Sequence, residues 1–378
     1  MCQQAQKWLV CLPDRLDNMP SLVAVVGDVQ DGRTGGEQYD ARLIAAAKTV
    51  GLQVQQLSWS DSISDTLLRL PILWRMAYIW RSLHLTLKLW RTSGDVLVDV
   101  WAAPYLQFWA KHTSRNIIVM VHHLRGELEQ DHHIQAAEKA LIRAASRILT
   151  VSQSSKRQII QYLAQSPKQN TPIDVIPPGF ARPTALPRQQ QNTDAVQLLF
   201  VGHITKAKGV LDVLKAVAKL SGDDFFLHVV GGASAEPATW QQAQALIEKQ
   251  GLSDKVKMYG RVENAQLQAL YALADVFVLP SYWEGYGIVF LEAMSLGLPV
   301  VSTTAGAIPE VVRHEKNGLL VQAGDVQGLS EALHTLIVQP ELREKFAKHA
   351  KQAAKHAADW VKIEQKFVVW WQERAQDV

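Results

Sequence analysis

The chain has 378 residues, more than one hydrophobic core usually supports, so two domains are expected. With 48% hydrophobic and 20% charged residues it is ordinary globular material, which excludes a disordered or fibrous chain. A formal net charge of +3 gives no ground for a nucleic-acid partner, and two cysteines, Cys2 and Cys11, cannot build a disulfide scaffold, which points to a reducing, cytoplasmic setting.

Residues 1–20 carry a single Lys7 before a short apolar patch and then charges, a poor signal peptide, and are expected as an N-terminal extension. No run of about 18 apolar residues occurs, so no spanning helix is expected. Short β-branched runs then alternate with helical patterns, the signature of parallel βαβ units. Strands are expected at Leu22–Val26, Gln53–Leu57, Val96–Val100, Asn116–Val121, Arg147–Val151 and Asp174–Ile176, within a first domain over residues 21–180. The proline- and glutamine-rich run PPGFARPTALPRQQQNTDA has linker chemistry, and the linker is placed at 181–196. A second domain over 197–358 shows strands at Gln197–Val201, Phe225–Val230, Lys255–Tyr259, Asp275–Leu279, Pro299–Ser302 and Gly318–Val321. Its helices are expected at Ala207–Leu220, Thr239–Gln250 and Gly287–Leu296, and residues 359–378 read as a helix returning to the first domain. Two doubly wound α/β domains facing across a cleft is the economical architecture, and in such sheets ligands bind beyond the carboxyl ends of the strands.

Four loops stand at such ends. After Asp275–Leu279 comes SYWEGYGIVFLEAM, in which Glu284 and Glu292 sit among glycine, aromatic and aliphatic residues. A bare buried carboxylate is costly, so these acids must be paired, bonded or functional. Gly285 and Gly287 permit close backbone approach, and the helix beginning near Gly287 presents unpartnered amides suited to a phosphate. Carboxylates also grip hydroxyl-rich ligands through paired hydrogen bonds. The loop VGHITKAKGV offers His203, Lys206 and Lys208 before a helix with Gly209 in its first turn; such cations neutralise a diphosphate or are simply solvated. The loop DGRTGGEQYD puts Gly35-Gly36 ahead of a helix expected over Tyr39–Val50; it is not a dinucleotide fingerprint and would serve equally as a tight turn. In VMVHHLRGELEQDHH, His122 and His123 point to opposite faces at a strand end, and His132-His133 open an exposed helix, so one functional histidine, His122, is favoured over a metal site.

With these loops in place the sequence resembles the retaining glycosyltransferases of family 4, which have the GT-B fold. The match is Glu284-Gly-Tyr-Gly-Ile-Val-Phe-Leu-Glu292, the family's E-x7-E motif, flanked by Pro280-Ser281, Ala293-Met294, Gly297, Pro299-Val300-Val301 and Gly306. Supporting it are Gly202 to Gly209, Gly260-Arg261-Val262 and Asn317-Gly318-Leu319-Leu320-Val321, with Gly35-Gly36 and His122 where the family has its diglycine loop and sugar-facing histidine. The resemblance covers nearly the whole chain after residue 20 and is strongest over 197–325. It implies that Glu284 binds donor-sugar hydroxyls and Glu292 the ribose, that the amides of Gly287, Ile288 and Val289 hold the diphosphate with Lys208, and that residues around Arg261 frame the base. Gly285 and Tyr286 belong to the same donor loop, and His122 is expected near the reacting carbon.

The implied reaction is hexosyl transfer from a UDP- or GDP-linked sugar, with retention, to a hydroxyl of a glycan or lipid-linked glycan. No cofactor or metal is expected, since GT-B enzymes generally do without one and the chain has no D-x-D pair. His203 stands where the family often has arginine; a histidine is only partly charged near neutral pH, so leaving-group stabilisation leans on Lys208. That departure keeps a non-catalytic nucleotide-sugar-binding subunit of a transferase complex in view, and a GT-B epimerase shares the architecture. Twelve tryptophans, seven before residue 110, are unusual. The stretch Asp65–Gly94 mixes Trp, Leu and Ile with Arg69, Arg75, Arg81, Lys88 and Arg91, which suits either a peripheral contact at the inner face of a membrane or a largely buried helix with cationic ends in solvent. Trp74, Trp80 and Trp90 do not share one helical face.

Overall fold

The computed structural model describes residues 22–27, 35–59, 74–164, 170–184, 195–220 and 222–374. The N-terminal extension with Cys2 and Cys11, the start of the DGRTGG loop, residues 60–73 and most of the expected linker lie outside the described residues. The chain divides into two compact units, the first comprising residues 1–150, 158–176 and 364–378, the second 151–157 and 177–363.

In the first unit six strands form one parallel sheet: β1 (Leu22–Val26), β2 (Val54–Ser58), β3 (Asp95–Asp99), β4 (Ile117–Val121), β5 (Arg147–Thr150) and β6 (Ile173–Val175), in the order β2-β1-β3-β4-β5-β6. LVAVV and IIVMV are buried at every position, because a parallel sheet is covered by crossover helices on both faces. Edge strand β2, VQQLS, is only partly covered, with its two glutamines exposed and Leu57 buried. The second unit repeats the plan with β7 (Val196–Val201), β8 (Phe225–Val230), β9 (Val256–Gly260), β10 (Val276–Val278), β11 (Val300–Thr303) and β12 (Gly318–Val321), in the order β12-β11-β10-β7-β8-β9. In each sheet the chain starts centrally, builds one way, then reverses. The reversal leaves a switch point between β1 and β3 in the first unit and between β10 and β7 in the second.

All twelve expected strands are present, with no end shifted by more than one residue. Two helix expectations need correction. The helix expected over Tyr39–Val50 runs from Gly35 to Thr49, so the glycine pair forms its first turn rather than preceding it. The helix expected over Ala207–Leu220 is broken: Lys206–Lys208 form a 3-10 turn, Gly209 takes a left-handed φ of 72°, and the helix proper is Val210–Val217. A Cβ on Gly209 would collide with the carbonyl oxygen of Pro280, so the two loops touch through backbone that only glycine allows.

The tryptophan-rich stretch forms the helix Trp74–Trp90. Its inner face carries Ala77, Leu85 and Leu89, all buried, and a buried Arg81 whose guanidinium donates to the Tyr105 hydroxyl at 3.0 Å. Tyr78 donates to the carbonyl of Pro104, and Arg115 donates to the carbonyls of Leu89 and Gly94, closing the helix's C-terminal end. Of the two alternatives for this stretch, the largely buried helix does not hold: six large apolar side chains on its outer face are exposed. From Glu364 onward the final helix Trp360–Arg374 belongs to the first unit, where Arg374 meets Asp95 at 2.6 Å and lies 4.0 Å from the Trp371 ring centre. Among the described residues no helix is long and apolar enough to cross a membrane.

Candidate functional site

The second unit's switch point gathers the acids and cations singled out in the sequence. Lys208 follows β7 and Glu284 follows β10, and their side chains meet with Nζ 2.6 Å from Oε1. Further contacts fix that pair. The Ser281 hydroxyl donates to the same carboxylate oxygen at 2.7 Å. The Glu284 carbonyl accepts from the amide of Ala307 at 2.9 Å. Gly306, at a φ of 58°, lets the backbone after β11 lie against Glu284, where a Cβ would strike its carbonyl oxygen. The amide of Tyr282 donates to the carbonyl of Ala207 at 2.8 Å, and its hydroxyl to Asp212 at 2.8 Å, stitching the β10 loop to the β7 loop. Glu284 is only 9% exposed, yet carries a lysine and a hydroxyl as partners, so it is a compensated buried acid and not a solvated loop residue.

The loop then enters the helix Ile288–Ser295 through Gly287, left-handed at φ 89°. A Cβ on Gly287 would collide with the Phe290 ring, so the turn that opens the helix at Ile288 depends on glycine. First-turn amides, with the positive end of the helix dipole, suit an anion. Gly285 and Tyr286 are half-buried in the approach, and burial, with the charge of Glu310, raises the Tyr286 phenol above its ordinary range. Four residues into the helix, Glu292 accepts from the buried Tyr271 hydroxyl at 3.3 Å. Burial pushes its carboxyl up to about 7, the Tyr271 bond opposing the shift. A near-neutral carboxyl with one oxygen still unengaged by Tyr271 is suited to a hydroxyl-bearing ligand that supplies donors. His203 lies half-buried just past β7, its carbonyl accepting from the Thr205 amide, while Arg261 follows β9 and is exposed. Lys206 is exposed, its amide tied to Glu236.

The first unit has its own cluster at its switch point. His122, one residue past β4, points its Nε2 at Asp40 Oδ1, 2.7 Å away, with the Tyr39 ring set edge-on at 5.4 Å. Gly36 packs on the imidazole: a Cβ there would sit 3.4 Å from His122 Cδ2. Neighbouring His123 turns instead to Trp101, 5.1 Å between ring centres, as alternation at a strand end requires. Burial opposes a charge on His122, but the Asp40 carboxylate, the bond to it and the charge of Asp99 raise it to about 9, so the ring is an imidazolium at neutral pH. Burial pushes Asp99, at the end of β3, up to about 7, although it accepts from the Trp101 amide at 3.0 Å. The loop after His122 is fixed by buried Glu138, which accepts from the amides of Arg125 and Gly126 at 2.7 and 3.1 Å. Ligand atoms of Asp40, Asp99 and His122 lie within 4.8 Å of one another, a spacing a cation could bridge, but the imidazole nitrogen facing Asp40 is already engaged in a direct hydrogen bond. His132 and His133 are exposed at the start of the helix His132–Ala144.

Lys208, Glu284, Gly287 and Glu292 thus fall in one unit, and Gly35, Gly36 and His122 in the other. Asp40, Asp99 and Tyr271 are site neighbours that the sequence reading does not name, and Ser281 enters it only as a residue flanking the motif. For Asp40 a signal exists: it lies on the stripe Tyr39, Asp40, Leu43, Ile44, Ala47 that the helix buries, and an acid on a buried stripe needs a partner.

Comparison with known proteins gives the following similarities. The family model for group 1 glycosyl transferases matches residues 182–353, just under half of the chain. The D-inositol 3-phosphate glycosyltransferase of Thermobifida fusca is 28% identical over 67% of this chain and 61% of its own length. The chain spans between about half and two thirds of the length of the curated relatives it matches. Among solved structures, sucrose-phosphate synthase from Thermosynechococcus elongatus superposes with a TM-score of 0.74 at 18% identity, covering 95% of this chain and 100% of that one. Anabaena HepE in complex with UDP-glucose gives 0.72 at 21% identity, covering 93% and 99%. The fold is GT-B.

Proposed function

We propose that this chain is a retaining glycosyltransferase that moves a hexosyl group from a UDP- or GDP-linked sugar to a hydroxyl of a glycan or lipid-linked glycan, in the cytoplasm and in peripheral contact with a membrane. The observation that carries the reading is the Lys208–Glu284 pair, set at a topological switch point with Glu284 three residues before the Gly287 helix start. In this reading the amides of Ile288 and Val289 and the Lys208 ammonium receive the diphosphate, Glu292 takes the ribose hydroxyls and Glu284 the sugar hydroxyls. As the glycosidic bond breaks, negative charge grows on the leaving diphosphate, and a fixed ammonium and fixed amides stabilise it without reorganising. Lys208 must then trade its contact with Glu284 for the phosphate, which frees a Glu284 oxygen for the sugar. Residues after β9, at Arg261, line the base. In the first unit His122 is assigned to the sugar undergoing transfer, held charged by Asp40. No metal takes part, the charge on the diphosphate being met by Lys208 and the helix.

Purified chain incubated separately with UDP-glucose, UDP-galactose and GDP-mannose should hydrolyse one of them, water standing in for the acceptor, and release its nucleoside diphosphate, with EDTA making no difference. Proton NMR of the sugar as it is released, before mutarotation, should show the donor's α configuration kept. An inverted product, or release abolished by EDTA and restored by a divalent cation, would overturn this reading.

A further inference from the structure

We propose that the outer face of the helix Trp74–Trp90 docks this chain onto an anionic lipid bilayer. This deepens the membrane contact included in the functional reading, and it stands on a part of the molecule remote from the donor loops in sequence. Met76, Ile79, Trp80, Leu83, Leu87 and Trp90 are 66, 58, 52, 56, 47 and 72% exposed. Their spacing of 3, 1, 3, 4 and 3 residues places all six within an arc of roughly 100°. The helix therefore carries two apolar faces. One is packed on the core through Ala77, Leu85 and Leu89, and the other is turned to solvent. Phe108, 68% exposed on the packed neighbouring helix Ala103–His112, adds a seventh apolar side chain on that second helix. Soluble chains seldom leave a continuous stripe of large apolar side chains uncovered without a partner for it.

The charges select the partner. No Asp or Glu occurs between residues 74 and 94, nor in the helix Ala103–His112. Lys88, Arg91 and Lys111 are exposed there, and Lys111 and Arg143 rim an alanine-lined groove between that helix and His132–Ala144, whose one acid, Glu138, is buried. A second copy of this face would set cations against cations. An anionic headgroup layer supplies the opposite charge over an apolar interior, where Trp80 and Trp90 indoles favour the boundary between the two.

The test is co-sedimentation of the full chain with phosphatidylglycerol vesicles and with phosphatidylcholine vesicles. Binding to the anionic vesicles is expected, reduced by about tenfold or more in Leu83→Ser/Leu87→Ser and in Lys88→Glu/Lys111→Glu. Both variants alter exposed side chains and should keep the melting temperature and nucleotide-induced thermal shift of the parent, which separates loss of docking from loss of fold or donor site. Docking overturned would read as no binding to anionic vesicles, as binding unchanged in both variants, or as a lipid-free dimer that Leu83→Ser/Leu87→Ser dissociates. A chain that docks but transfers no sugar would overturn the transferase reading and leave this one standing.

Discussion

Lys208 and Glu284 lie 76 residues apart and form one 2.6 Å ion pair because strands β7 and β10 are neighbours at the point where the second sheet reverses direction. Each is held by glycine-dependent backbone: Gly209 against Pro280 on one side, Gly306 against Glu284 on the other. Removing either partner should disable transfer without unfolding the chain, since Lys208 is partly exposed and Glu284 keeps Ser281 as a donor. Lys208→Ala and Glu284→Ala should each lower turnover by about 10²–10³. Circular dichroism should show both folded, and a variant with near-parental turnover removes that residue from the mechanism.

Gly209 makes a sharper structural prediction. Alanine there meets both a left-handed φ and the Pro280 carbonyl, a combination that costs on the order of 1–3 kcal/mol. Gly209→Ala should lower the melting temperature and weaken nucleotide binding together, whereas Gly251→Ala, also left-handed but with open space around its Cβ position, should lower stability alone.

Glu292 carries a pH signature. Its carboxyl is raised by burial from 4.5 to about 7, so the folded state holds a proton that the unfolded state releases. Stability attributable to this group is therefore present below about pH 4.5 and lost as pH rises to about 7. Glu292→Gln should stabilise the chain more at pH 8 than at pH 5, while weakening nucleotide binding. Thermal melts at the two pH values check the first effect, and equal stabilisation at both would contradict the burial account.

His122 should titrate near 9. Asp40→Asn removes the carboxylate charge that, with its hydrogen bond, opposes the effect of burial, so the imidazole should lose its proton at a clearly lower pH. The Hε1 resonance followed by NMR reads this directly. An unchanged midpoint in Asp40→Asn would show that Asp99 alone sets the charge.

The strands were legible in the sequence because parallel strands covered on both faces read as uninterrupted apolar runs rich in valine and isoleucine, as in LVAVV and IIVMV. The acids Glu284 and Glu292 were legible for a related reason, as charges among apolar neighbours. What failed were features fixed by contacts between distant segments. The break at Gly209 follows from a carbonyl 71 residues away, and Asp40 from an imidazole 82 residues away, and neither appears in local periodicity. The helix Trp74–Trp90 was ambiguous because apolar residues cover both of its faces, and pattern alone does not say which one is packed.

The most direct test of the central claim is calorimetric titration of UDP, GDP and ADP into the chain and into Lys208→Ala. The account predicts that one nucleoside diphosphate binds the parent, and that Lys208→Ala binds it about tenfold or more weakly through the lost charge-assisted contact. Binding of none of the three, or equal affinity in the variant, would contradict it.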